Sequence, residues 1–225
     1  MMDYIYGVYP PDFMSTIDSI GEEIFRITTN SAAARAVRHR RRLLAYTIDR
    51  ICTEKNANIM AVACGHLREA QISDTIKAGK IQSFYALDQD IESLQIVEEN
   101  YSKYNIHTVL ANVAGISKGK VPTKIKNVGF DLIYSAGLYD YLSQPVAVNL
   151  TKNLAGLLNS KGKILLANFL PMHEDVGFME GIMDWKLIYR TPQELVNIIN
   201  YAGLTLESIE IDPTESIVYA IGTRR

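Results

Sequence analysis

The chain has 225 residues, a length suited to one domain or one domain with an appendage. Apolar residues make up 48% and charged residues 21%, which is enough to bury a full core. A net charge of −2 gives no global attraction to nucleic acid or to a membrane surface.

The first stretch, MMDYIYGVYPPDF, carries Asp3 and tyrosines where a secretory leader needs a basic start and an apolar run. No apolar run is long enough to span a bilayer, so a cytoplasmic location is expected and membrane insertion is not. Two cysteines, Cys52 and Cys64, are too few for a disulfide framework, and no metal site is expected. Pro10-Pro11 forbids a helix across that point, and 18–28 can form a short one. Tyr4, Tyr6 and Tyr9 fit either a lid or a terminal segment packed on the body.

Residues 31–54 read as one long helix. Val37, Leu44, Ile48 and Ile51 share a face, while Arg35, Arg38, Arg40, Arg41 and Arg42 lie off it. The arginines are expected as a solvated face on a packed helix, with one of Arg38–Arg42 turned to a ligand cavity as a further reading. Nucleic acid is not an expected partner. After Asn56, strands alternate with helices. Strands are predicted at 58–63, 83–87, 108–110, 130–135 and 163–169, with helices at 69–77, 91–104, 145–158 and 192–202. Strands at 205–211 and 217–222 are close enough to pair antiparallel. This order predicts an α/β fold with a doubly wound, mostly parallel sheet, an antiparallel C-terminal edge and an N-terminal helical extension over 1–55. The sheet domain takes 56–225.

In such sheets ligands bind at the carboxyl ends of the strands, where strand order reverses. The chemistry should therefore gather after each strand. IMAVACGHLREA, 59–70, has the shape of a nucleotide-binding turn but a single glycine, Gly65, so an ordinary turn is an equal reading. FYALDQD places Asp88 where a carboxylate can accept from both hydroxyls of a ribose, with Gln89 beside it and Asp90 as a helix cap. Two caps is the alternative. In LANVAG, Asn112 and the backbone around Val113 can read an adenine edge. In FDLIYSAGLYDYL, the small residues Ser135, Ala136 and Gly137 let a ligand approach the backbone, and Tyr139 and Asp140 follow them.

Taken in order, ACGHLRE, YALDQDIESL, FDLIYSAGLYDYL and LLNSKGKILLANF resemble the class I S-adenosylmethionine-dependent methyltransferases from about residue 56 to the end. The resemblance implies S-adenosyl-L-methionine as cofactor, with Ala63, Gly65, Glu69, Asp88, Gln89, Asn112, Val113, Ser135, Ala136 and Gly137 around it. It is imperfect at the first motif. Ala61 stands where an acidic residue is usual, and Ala63 and Leu67 stand where two of three glycines are usual, which suggests that Glu69 takes over from the missing acid. More narrowly, the arginine helix, SAGLYDYL and FMEGIMDWKLIYRT are similar to a bacterial subgroup of extracellular-factor-type fatty-acid methyl ester synthases. That likeness implies a small acidic acceptor methylated on a carboxylate oxygen, with a hydroxyl or amine acceptor also open. Tyr139, Asp140, His173 and Arg190 are expected to line one acceptor cavity walled by Trp185, Arg190 forking onto the acceptor and His173 serving as a base. Each has a plainer reading: Arg190 paired with a nearby acid, His173 on a surface loop and Trp185 as packing. An RNA or protein acceptor, or a binding module without activity, are the competing readings, and oligomeric state is left open. The Asn/Asp-Pro-Pro-Tyr motif of base-amino methylation is missing.

Overall fold

The computed structural model describes residues 2–225, so Met1 of the expected 1–55 extension lies outside the described residues. Seven strands form one sheet: β1 (Asn58–Val62), β2 (Ser83–Asp88), β3 (Ile106–Leu110), β4 (Phe130–Ser135), β5 (Leu158–Phe169), β6 (Thr205–Ile211) and β7 (Ile217–Thr223). Their spatial order is β3-β2-β1-β4-β5-β7-β6. β1 runs parallel to both β2, with Asn58 opposite Ser83, and β4, with Ile59 opposite Leu132. β7 runs antiparallel to β5 and to β6.

Both sheet faces are buried, which is why β1 and β4 are mostly apolar and do not alternate in polarity. Alternation assigns the faces. Ile59, Ala61, Leu132, Tyr134, Leu165 and Tyr219 point to one side, where helices Ala32–Glu54 and Ile91–Tyr101 cover them with Val37, Leu44, Ile48 and Val97. Met60, Val62, Ile133, Ile164, Leu166 and Val218 point to the other, under helices Gln144–Ala155 and Pro192–Tyr201. The long arginine helix is therefore part of the sheet's own cover. No helix among the described residues is long and apolar enough to cross a membrane.

The elements follow the expected order, with two informative departures. Residues 69–77 do not form one helix. A 3-10 turn at Arg68–Gln71 is separated from the single helical turn Asp74–Lys77, which Ser73 caps onto Ile76. Ser73 and Thr75 also donate to the Asp49 carboxylate at 2.6 Å each, a local alternative that outcompetes a continuous helix. β5 begins five residues earlier than its apolar stretch suggests, because a left-handed turn at Lys161 (φ 62°) carries Asn159–Gly162 along the edge of β4 before the regular ladder starts.

Candidate functional site

Strand order reverses between β1 and β4, and a cavity of about 580 Å³ opens over their carboxyl ends. This lies within the range of small-molecule sites, roughly 300–1,000 Å³. Its floor is the loop Ala63–Leu67, and one wall is Ala136–Leu138 with Asp140 and Tyr141. Arg40, Glu69, Tyr134, Phe169 and Trp185 close it, and Met2, Asp3, Tyr4 and Tyr6 roof it.

The loop holds the conformation its sequence argues against. Ala63 (φ 55°), Gly65 (φ 51°) and Leu67 (φ 51°) are all left-handed. For alanine and leucine that geometry costs about 1–2 kcal/mol each. Surrounding bonds enforce it: Cys64 N–H donates to the Leu87 carbonyl at 3.1 Å, and the Tyr101 hydroxyl donates to the Leu67 carbonyl at 2.9 Å. Strain held in place by neighbours is characteristic of ligand-gripping loops. The space where a Gly65 side chain would stand is open for 4 Å.

Asp88 is bonded to this loop. Its Oδ2 accepts the Gly65 N–H at 2.8 Å, and its Oδ1 accepts the N–H groups of Gln89 at 2.7 Å and Asp90 at 3.0 Å. Asp90 caps the next helix through Glu92 and Ser93. Gln89 and Asn112 border a separate open depression beyond the ends of β2 and β3 with Asp90, Leu110 and Ala111. The Asn112 Oδ1 caps Ala114 N–H at 2.7 Å, and Val113 is buried. Ser135 is buried as well, its hydroxyl donating to the Val62 carbonyl at 3.0 Å and so tying β4 to β1.

Glu69 reaches the cavity from the 3-10 turn after the loop. It is buried, and its Oε1 accepts the Tyr134 hydroxyl at 2.5 Å. Burial pushes its carboxyl above the ordinary range, with the Tyr134 hydrogen bond opposing. Tyr134 points to the same face as Ala61, its register partner on β1. A buried carboxyl group thus stands at the cavity on the turn after β1, braced by a tyrosine that the strand alternation of FDLIYS places there.

The four expected acceptor residues do not share the cavity. Asp140 lines it; the other three do not. Tyr139 turns away into the opposite core, its hydroxyl within 2.7 Å of that of Thr151. Arg190 is buried and holds four partners. Its Nη1 donates to the Tyr139 carbonyl at 2.6 Å and to Asn168 Oδ1 at 2.7 Å, its Nε to Gln144 Oε1 at 2.9 Å, and its Nη2 to the Leu142 carbonyl. Four of its five N–H groups are spent on these partners, so its fork closes a loop instead of facing the cavity. His173 packs behind the cavity wall, 5.3 Å from the Phe169 ring and 5.7 Å from the Tyr189 ring between centroids, and burial holds its pKa down. Trp185 does wall the cavity, its Nε1 donating to the Tyr141 hydroxyl at 2.6 Å.

Asp140 is the titratable group poised in the wall. Its Oδ1 accepts the Phe169 N–H at 2.8 Å, and burial pushes its pKa up to about 6. Such a value suits proton exchange near neutrality.

The roof is tied to the floor. Asp3 accepts from Arg68 at both oxygens, at 2.8 and 2.6 Å, and its Oδ2 lies 2.8 Å from His66 Nδ1. The guanidinium beside Asp3 holds its carboxyl below the usual range. Arg41 stacks over Tyr6 at 5.2 Å and donates to the Arg68 carbonyl at 2.9 Å, while Arg38 donates to the Ile5 carbonyl at 3.3 Å and to that of Thr29 at 2.5 Å. Arg38 and Arg41 are thereby spent on holding the N-terminal segment and the turn beneath it. Sequence patterning shows the arginines but not these partners, since the contacts span some thirty positions in the chain. Asp3→Asn is expected to release the roof, raising amide hydrogen exchange over residues 2–8 and costing no more than about 1 kcal/mol of global stability. Unchanged exchange there would show that Tyr4 and Tyr6 packing alone holds it.

The fold is a Rossmann-like methyltransferase fold, with seven strands and an antiparallel C-terminal pair. No family model matches the chain, and no curated protein matches it. Among solved structures, the chain is similar to a possible exported protein from Bordetella parapertussis, with a TM-score of 0.73, 16% identity, and coverage of 88% of this chain and 72% of that one. It is also similar to magnesium protoporphyrin IX methyltransferase from Synechocystis PCC 6803 with bound SAH, at TM-score 0.62 and 11% identity, over 92% of this chain and 95% of that one. A SAM-dependent methyltransferase from Aquifex aeolicus matches with a TM-score of 0.57 and 15% identity, over 76% and 83% of the two chains. At these identities the likeness is one of fold.

Proposed function

We propose that the chain binds S-adenosylmethionine in the β1/β4 cavity and transfers its methyl group to a small acceptor, most readily to a carboxylate oxygen. The observation that carries this is the loop itself. Positions 63, 65 and 67 keep the left-handed geometry of a glycine-rich cofactor turn although two of them are not glycine. Two strained non-glycine residues within one turn, both lining the cavity, are the pattern of a loop that grips a ligand.

The cavity fits the cofactor on its own terms. Open space over Gly65 admits a ligand against the backbone, and the Asp88 carboxylate beneath it is positioned to exchange a backbone partner for ribose hydroxyls. Glu69 offers a buried carboxylate to an ammonium group. When bound, S-adenosylmethionine supplies a methyl group activated on a sulfonium. The protein's part is alignment and the exclusion of water, which the Met2–Tyr6 roof and the Trp185 wall provide. A carboxylate acceptor needs no base. For a hydroxyl or amine acceptor, Asp140 is the wall residue placed to take the proton. The roofed opening favours a small acceptor over an RNA strand.

Calorimetry with S-adenosylhomocysteine tests the binding, and methyl uptake from labelled cofactor by pooled carboxylic acids, phenols, amines and RNA tests the transfer. Binding without uptake by any of them would leave a cofactor-binding module, the reading that the two lost glycines favour. Glu69→Gln is expected to weaken S-adenosylhomocysteine about 10- to 100-fold and to leave adenosine nearly untouched, because only the former carries an ammonium. Equal losses for both would make Glu69 a support for Tyr134 and nothing more.

A further inference from the structure

We propose that Arg40 is the carboxylate-binding residue of this cavity, an assignment that rests on the cofactor reading above. The arginine helix presents Arg35, Arg38, Arg40 and Arg41 toward the N-terminal segment and the cavity, and three of the four are accounted for. Arg35 donates to the Asn30 carbonyl at 2.6 Å, Arg38 to Ile5 and Thr29, and Arg41 to Arg68 and Gln71. Arg40 is different. It is 5% exposed and lines the cavity; the Tyr6 and Tyr219 hydroxyls lie near its guanidinium, but its Nε has no hydrogen-bond partner. Among the described residues no carboxylate stands within ion-pair distance of it; the seven ion pairs all lie elsewhere. A buried guanidinium with an orphaned donor is costly unless an anion completes it.

The surroundings narrow the anion. The guanidinium lies against the Ala136–Leu138 wall, where a side chain on Gly137 would meet Arg40 Nη2 at 3.6 Å, so glycine there leaves the fork uncovered. Glu69 and Asp140 flank Arg40 at longer range, from the cofactor-loop side and the wall side of the cavity. Two acids so near disfavour a dianion such as phosphate, whereas a singly charged carboxylate matches the planar fork bidentately. Glu69 and Arg40 together also present one acid and one base across a single cavity, the complement of an α-amino-acid group. The carboxylate can come from the amino-acid end of the cofactor or from the acceptor, since Leu138, Tyr141 and Trp185 add an apolar rim beside the same guanidinium.

Titration calorimetry separates the sources. S-adenosylhomocysteine is compared with its decarboxylated analogue, which keeps the amine and loses only the carboxylate, on the wild type, Arg40→Gln and Arg40→Lys. Benzoate and its neutral counterpart benzamide are then titrated into the protein saturated with S-adenosylhomocysteine. A cofactor role predicts that Arg40→Gln weakens S-adenosylhomocysteine about 10- to 100-fold while the decarboxylated analogue binds as before. An acceptor role predicts unchanged S-adenosylhomocysteine affinity and a loss of that size for benzoate alone. Arg40→Lys keeps the buried charge without the fork and is expected to lie between wild type and Arg40→Gln; it carries the same comparison if Arg40→Gln no longer unfolds cooperatively. A folded variant that loses both forms of the cofactor equally, or loses neither cofactor nor benzoate, overturns the assignment. Wild-type protein that binds neither form of the cofactor overturns the cofactor reading instead, and benzoate titrated into the protein alone then decides Arg40.

Discussion

Arg190→Met is expected to remove about 3–5 kcal/mol of folding stability, the largest effect of any single substitution near the site. Methionine keeps most of the length of arginine and none of its donors. It would leave the Tyr139 and Leu142 carbonyls, Asn168 Oδ1 and Gln144 Oε1 without the guanidinium they now share, in a place where Arg190 is 2% exposed and Asn168 fully buried. Arg190→Lys restores the charge but cannot reach partners on three segments at once, so roughly half of the loss should remain. Guanidinium unfolding reads the effect as a shifted midpoint at unchanged slope. A loss below about 1 kcal/mol would mean that water replaces the lost donors, and that Arg190 is less enclosed than its contacts indicate. The Tyr139–Leu142 loop carries Asp140 into the cavity wall, so Arg190 bears on the site by holding that loop.

The same residue shows where sequence reasoning stops. Arginine after a run such as DWKLIY is compatible with an acceptor fork or with an internal clamp, and both use the same planar donor set. What decides is the number of buried carbonyls that fold around it, and these come from positions 139, 142, 144 and 168, which no local pattern links to 190. Tyr139 fails for a related reason. Its neighbours Ala136, Gly137, Leu138, Asp140 and Tyr141 all line the cavity, but a 3-10 turn at 139–141 swings its own ring into the opposite core. The elements themselves were far more legible, because the mostly apolar runs of β1, β4 and β7 and the 3.6-residue stripe of the arginine helix are set by burial on two sheet faces. The positions legible in advance were those fixed to strand ends: Gly65 after β1 and Ala136 and Gly137 after β4 line the cavity, and Asp88, closing β2, is bonded to Gly65. That Arg40 rather than its neighbours turns inward could be narrowed to Arg38–Arg42 from the stripe, and no further, since its orientation depends on the width of the cavity it faces.

Asp140→Asn is expected to abolish a pH dependence of stability that the wild type shows between about pH 4 and pH 6. Burial raises the Asp140 pKa from 3.8 to about 6. Within that window the unfolded chain has already lost the proton while the folded protein retains it, so the folded state binds more protons and stability falls as pH rises. A displacement of about two units corresponds to roughly 3 kcal/mol at 1.36 kcal/mol per unit. Below the window both states are protonated and the full benefit of the neutral acid is present; above it both are ionised and the burial penalty stays constant. Asparagine keeps an oxygen to accept the Phe169 N–H and has no proton to lose, so the difference in stability between wild type and variant should change by about that amount from pH 4 to pH 7 and then level off. Parallel pH curves for the two proteins would show that Asp140 is solvated or paired in solution and ionises at its ordinary value. The consequence for chemistry follows from the same number. If the acceptor must give up a proton, the rate should rise through about pH 6 and Asp140→Asn should lose that limb. If the acceptor is a carboxylate, ionised Asp140 stands as a like charge in the wall, and Asp140→Asn should bind the acceptor more tightly at pH 7 while keeping the ability to transfer the methyl group.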